Sequence, residues 1–207
     1  MWVCKCFLDF KKEEKWLEEK GRQGYQLKEV NCGFYRFDYV NTPVDLNIKI
    51  DYRTFNSIKD FQYYCALFED SGWQHIAGSR WSGSQYFVKA RPDAGDDIFS
   101  DGLSRAGRYK RFALMWFSLA LAYLPLMVVF FLNGSIDLHK ILNLKSLYLT
   151  PGLWDMKGTH FLRAFLFETP FAIMRGFGWV IFIFIVLIFV YYTLKAYLLY
   201  KKDLKKS

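Results

Sequence analysis

Asp9 and Asp51 are the residues of this chain best placed by type and position to hold a ligand, since each ends a strand-like stretch. Two carboxylates facing one groove hold a cationic group; the same short side chains at strand ends also cap helices and close turns. Asp9 directly precedes a helical pattern and suits a cap, whereas Asp51 stands six residues before Ser57, too early for one. Tyr35, Tyr52, Trp73, Trp81 and Tyr86 belong to a dense aromatic set with Phe37, Tyr39 and Phe87. Large rings must supply most of the core of a small domain, leaving a minority to line a groove.

Other chemistry finds less support. Cys4 and Cys6 are two apart on one strand-like stretch, and with Cys32, Cys65 and His75 they show no C-x-x-C spacing. Small buried apolar residues are the better reading of that pair. His139 and His160 are 21 residues apart and read as scattered surface histidines. No glycine-rich phosphate loop, G-x-S-x-G elbow or H-E-x-x-H is present, and no serine or cysteine is paired with a base. The expectation is a protein that is not an enzyme and carries no cofactor.

The elements that must position these residues form a doubled pattern. Leu46, Ile48, Ile50 and Tyr52 alternate with Asn47, Lys49, Asp51 and Arg53, which predicts a strand buried on one face. Ser57 caps a helix carrying Ile58, Phe61, Cys65 and Phe68, Gly72-Trp73 opens a strand, and 85–89 is the last one. Residues 1–40 repeat the order, with strand 2–8, a charged helix 11–23 anchored by Trp16 and Leu17, and strands 24–30 and 34–39. The expected fold is α+β: a duplicated strand–helix–strand–strand unit whose antiparallel sheet carries two helices on one face and leaves the other concave. That order is similar to effector-binding domains of the GyrI-like type, which hold small ligands between their halves, and this implies a groove here.

The net charge of +8 sits in two tracts, since Arg105, Arg108, Lys110 and Arg111 supply half and Lys195–Lys206, less Asp203, the rest. Each tract flanks an apolar run, 112–132 or 176–194, long enough at about 1.5 Å per residue to cross a hydrocarbon core of about 30 Å. Basic residues confined to such tracts belong to a membrane and exclude a nucleic-acid partner. The expected organisation is a cytosolic domain over 1–92, a basic linker over 93–111, spans over 112–132 and 176–200, and an extracytoplasmic segment over 133–175. A basic tail follows over 201–207, with Arg105, Arg108, Lys110, Arg111, Lys201 and Lys202 anchoring the chain at the membrane surface. In the outer segment, Phe161, Leu162, Phe165, Leu166 and Ala172 form one side of an interfacial helix with Arg163 and Glu168 facing headgroups. Thr169-Pro170 then begins the second span. The positive-inside rule places both termini in the cytoplasm of a multi-pass membrane protein. Residues 1–95 are expected to fold alone.

Phe7-Leu8-Asp9-Phe10, Glu13-Glu14-Lys15-Trp16-Leu17, Gly24-Tyr25, Ile48-Lys49-Ile50-Asp51-Tyr52, Gly72-Trp73, Tyr86-Phe87-Val88-Lys89 and Ile98-Phe99-Ser100-Asp101 carry a more specific likeness. Over roughly residues 4–105 the chain resembles a domain-of-unknown-function family of Gram-positive bacterial membrane proteins, often encoded beside PadR-type transcription regulators. The resemblance implies a context and no catalytic residue. The combined expectation is a membrane-anchored regulatory or sensory protein whose partners are the bilayer and a protein, either a transcription regulator or a membrane complex. A small cationic or amphipathic ligand in the groove is the accompanying expectation, and an accessory subunit of a transporter-like complex is the alternative.

Overall fold

The computed structural model describes residues 1–41, 45–134 and 143–205, and His139 lies outside them. Within them the chain forms β1 (Trp2–Cys4), α1 (Phe10–Arg22), β2 (Tyr25–Asn31), β3 (Phe34–Tyr39), β4 (Ile48–Tyr52), α2 (Ile58–Asp70), β5 (Trp73–Ala77), β6 (Ser84–Lys89), α3 (Gly102–Leu132) and α4 (Gly158–Leu204). It divides into two compact units, one of residues 1–115 and 192–207, the other of 116–191.

The first unit holds two antiparallel three-stranded sheets, ordered β1-β3-β2 and β4-β6-β5, in place of the single sheet expected. Local chemistry accounts for the elements. Asp9 and Ser57 accept from the backbone N–H two residues on, at 3.1 Å each, and so start α1 and α2. Gly72 ends the α2 turn at φ +85°, where an added Cβ would meet Ala94 at 2.7 Å. Register shifts between Leu27 and Glu29 and between His75 and Ala77 bend β2 and β5 at matching points.

Both faces of the second sheet are covered. Ile48, Ile50 and Tyr52 of β4 stand opposite Val88, Tyr86 and Ser84, and on that face Tyr86 meets α1 and Tyr52 meets Phe10 and Phe112. Asp51 and Phe87 lie on the other face, where α2 supplies Tyr64 and Phe68 to a core shared with Phe55 and Trp73. The concave face expected to stay open is therefore filled by α1 and the start of α3. Arg108, Tyr109 and Phe112 of α3 are buried, as is Asp203 near the end of α4. The domain boundary at residue 92 is corrected accordingly: the segment drawn as a linker carries part of the core. Cys4 and Cys6 are exposed and β1 ends at Cys4, so the reading of that pair as buried on one strand is corrected too.

The second unit contains most of two helices long and apolar enough to cross a membrane, with only 6% of the most apolar window of each buried. Soluble core helices of this hydropathy are covered on all sides. α4 runs unbroken for 47 residues through Pro170, about 70 Å at 1.5 Å per residue, so Thr169-Pro170 does not begin it. Glu168 faces no headgroup: it accepts from the backbone N–H groups of Leu149 and Thr150 and pairs with Arg175 at 2.8 Å, which also donates to the Leu147 carbonyl.

A chain ended at residue 95 lacks Arg108, Tyr109, Arg111 and Asp203, and is expected to show no cooperative thermal transition in water. A sharp calorimetric transition from that fragment would show that the core closes without α3.

Candidate functional site

A buried polar cluster of the first unit lies along the outer edge of β4. An edge strand presents unpaired N–H and C=O groups that must be covered. Here side chains cover them. Glu18 and Glu14 of α1 accept from Ile48 N–H at 3.4 Å and Ile50 N–H at 3.1 Å. Arg108 of α3 donates to the Ile50 carbonyl at 2.5 Å, and Arg111 donates to the Tyr52 carbonyl. Asp51 accepts from Tyr52 N–H at 2.8 Å. Carboxylates thus meet the donors of the strand and guanidinium groups meet its acceptors.

The two glutamates of α1 differ in their partners. Glu14 pairs with Arg108 at 2.5 Å, and both side chains are buried. Burial pushes the Glu14 carboxyl up, with the Arg108 charge working against it. For Arg108 burial works downward, yet the nearby carboxylate holds its pKa above the ordinary value, so it stays charged. Glu13 has no cation bonded to it: Tyr35 of β3 and Tyr86 of β6 each donate to its Oε1 at 2.7 Å. Burial raises the Glu13 carboxyl above its usual range, against the pull of the two hydroxyls. Burial, followed by the Glu13 charge, drives both phenols upward.

The residues expected to form a ligand groove are distributed differently. Asp9 caps α1 and accepts from Tyr109 Oη at 2.7 Å. Asp51, 2% exposed, accepts from Tyr64 Oη at 2.8 Å and pairs with Arg111 at 2.5 Å. Tyr35 and Tyr86 are brought together at Glu13, while Tyr52 and Trp73 are buried in separate parts of the core. An open groove lined by Asp9, Asp51 and these rings is therefore corrected to a filled interior. Only Trp81, 65% exposed, stays free for a ligand. It stands beside Val30, Asn31, Cys32, His75 and Ala77 on a cleft of about 580 Å³ between the β2–β3 and β5–β6 ends. His75 Nε2 donates to Gln85 Oε1 at 3.0 Å there, and burial holds its pKa below the ordinary value.

The anchoring assignment changes for three residues, the first being Arg105, which is paired with Asp97 and Asp203. Arg108 is buried against Glu14 and Arg111 is paired with Asp51, so neither offers a free charge to a lipid surface; Lys110, Lys201 and Lys202 are exposed. Glu13, Glu14 and Arg108 were missed as site residues in the sequence. The available signal was spacing: Phe10, Glu13, Glu14, Leu17 and Gly21 form the buried stripe of α1, with two acids in apolar positions. Among the described residues no group of three or more His, Cys, Asp or Glu is arranged to hold a metal ion.

Residues 9–121 match the family described as "Protein of unknown function (DUF2812)", and the chain belongs to that family. The match starts at the cap of α1 and runs past Arg108 and Arg111 into α3, so the family unit includes the element that covers the β4 edge. Comparison with curated proteins and with solved structures finds no significant match.

Glu14→Gln leaves the Arg108 charge buried without its counter-ion and is expected to cost about 3–5 kcal/mol. Glu13→Gln keeps the oxygen that both tyrosines use and has no charge to bury, so it is expected to be near neutral at pH 5 and more stable than wild type at pH 8. The sign follows from the raised folded-state pKa of Glu13: its preference for the fold is complete below the unfolded carboxyl value and is lost as pH rises through the folded one. Unfolding of the full chain in non-ionic detergent across pH 4–9 checks both. A pH profile unchanged by Glu13→Gln would show that Glu13 is not the titrating group. Asp51→Asn loses a buried charge-assisted contact and is expected to cost about 1–3 kcal/mol in the same measurement.

Proposed function

We propose that this chain is a membrane-anchored regulatory or sensory protein, with both termini in the cytoplasm and a folded domain that binds a protein partner or small ligand without catalysis. One observation carries the reading: the segments continuous with both apolar helices are built into the core of the domain. Arg108 and Arg111 of α3 bond to the β4 edge, and Asp203 of α4 pairs with Lys11 and, at 3.5 Å, with Arg105. A helix tied in this way cannot shift or rotate without disturbing β4, so the state of the anchor and that of the domain are linked. A passive anchor would need only a flexible tether.

The matching element orders, caps and bulges of the two halves support descent from a duplicated unit. The cleft beside Trp81, formed from both halves, is the place for a partner. The setting of similar Gram-positive proteins beside PadR-type regulators makes a transcription regulator the favoured partner class. The exposed apolar faces of α3 and α4 favour the second reading, a subunit of a larger membrane complex.

Topology and partner are tested together. Exposed Cys4, Cys6 and Cys32 supply native probes, and a membrane-impermeant maleimide is expected to label them only after permeabilisation. With those three replaced by serine, Ser146→Cys is expected to label in intact cells. Labelling of the native thiols from outside would overturn the orientation. A photo-crosslinker replacing Trp81 is expected to capture a soluble regulator; capture of a multi-span protein from the helices instead would support the second reading.

A further inference from the structure

A second cleft, of about 300 Å³, lies on the first unit away from Trp81. Its cationic lining comes from three elements: Lys11 and Lys15 of α1, Lys49 of β4, and Arg105 and Arg108 of α3. Glu14, Glu18 and Asp97 also line it, and Asp203 pairs with Lys11, so five cations meet four carboxylates and one positive charge is left over. The pairing shows which cations are not held. Arg108 is matched by Glu14, Arg105 by Asp97, and Lys11 by Asp203. Lys15 and Lys49 make no ion pair among the described residues, although Lys49 is close enough to Glu14 to pull its pKa down.

An independent observation points to a missing acceptor. Arg108 is 1% exposed, and its Nε–H has no hydrogen-bond partner among the described residues. Arg105 Nε is not a second such case, since it lies 3.5 Å from Asp203 Oδ2, a buried acceptor with no other hydrogen bond among the described residues. Buried donors are almost always satisfied, and one that is not marks a place where an acceptor belongs. Glu14, the carboxylate paired with Arg108, is already used, since its Oε1 accepts from both Ile50 N–H and Arg108 Nη1.

We propose that this cleft binds a phosphate monoester group, with Lys15 and Lys49 supplying the countercharge and the Arg108 Nε–H the directed donor. A phosphate monoester carries about −1.5 to −2 charges at pH 7, which attracts Lys15 and Lys49, and its three terminal oxygens accept hydrogen bonds from several directions. The group comes either from a soluble phosphorylated metabolite or from the headgroup of an acidic lipid. Arg105 stands seven residues, about 10 Å along the helix, before the apolar run that begins at Phe112, within reach of a headgroup layer. The proposal stands on the cleft alone and does not depend on what the domain regulates.

The test uses the full chain in non-ionic detergent and follows thermal unfolding at constant ionic strength. Glycerol 3-phosphate probes the soluble source, and short-chain phosphatidic acid the lipid source. Short-chain phosphatidylcholine and sodium chloride are the controls. A saturable rise in unfolding temperature is expected with at least one phosphomonoester and with neither control. Lys15→Gln with Lys49→Gln is expected to unfold at the wild-type temperature without ligand and to weaken the apparent affinity about tenfold or more, as loss of charge-assisted contacts does. Lys15→Gln alone, at an exposed position, is expected to weaken it in the same direction. A response to phosphatidic acid only assigns the lipid source; a response to both assigns the phosphate group itself. No shift with either probe, or an equal shift in wild type and the double variant, would overturn the proposal, as topology labelling would not.

Discussion

The free edge of β4 is the constraint from which the rest of the first unit follows. A three-stranded sheet with one edge turned inward needs donors and acceptors at the spacing of a strand, and among the described residues no fourth strand is there. Carboxylates from α1 and guanidinium groups from α3 take its place. The substitution dictates the arrangement of helices: α1 must lie along β4 to bring Glu14 and Glu18 to alternate residues, and α3 must begin beside it to bring Arg108 and Arg111. An edge closed in this way is also unavailable for pairing with a second chain.

Adjacent residues on α1 do opposite electrostatic jobs. Glu14 is an ion-pair partner whose value lies in balancing a buried guanidinium, and removing either member strands the other. Glu13 sits between two phenols from the two sheets, so one carboxyl oxygen joins both halves of the domain through a single helical residue. Burial makes its charged form costly, and the two hydroxyls offset part of that cost. The halves are therefore joined most firmly where the proton occupancy of one side chain matters.

Much of the architecture was legible in the residues. Alternation over Leu46–Tyr52, the caps at Asp9 and Ser57, the glycines after each helix and the two uncharged runs locate nearly every element. These are local signals, carried by period and by turn chemistry. What was not legible is long-range. Charged residues are assigned to solvent by default, so Glu13, Glu14 and Arg108 gave no sign of burial except a stripe in which acids occupy apolar positions. Arg108 and Arg111 looked like an interfacial tract because their partners are 94 and 60 residues away. Asp51 was expected at an open strand end for the same reason: Arg111 and Tyr64, which enclose it, lie on other elements. The pairing of Tyr35 with Tyr86 depended on both sheets facing α1, which neither repeat reveals by itself.

The contact between Lys11 and Asp203 joins residues 192 positions apart. During synthesis the strands and helices of residues 1–90 leave the ribosome first, and their local contacts form early. The guanidinium groups that cover β4 arrive only with the start of α3, and the last carboxylate arrives after both apolar helices have been made. Completion of the domain is thus deferred until α4 has been made as far as Asp203. A chain that stops before α3 leaves the Ile50 and Tyr52 carbonyls without their guanidinium donors, and one that stops before the end of α4 leaves Lys11 without Asp203.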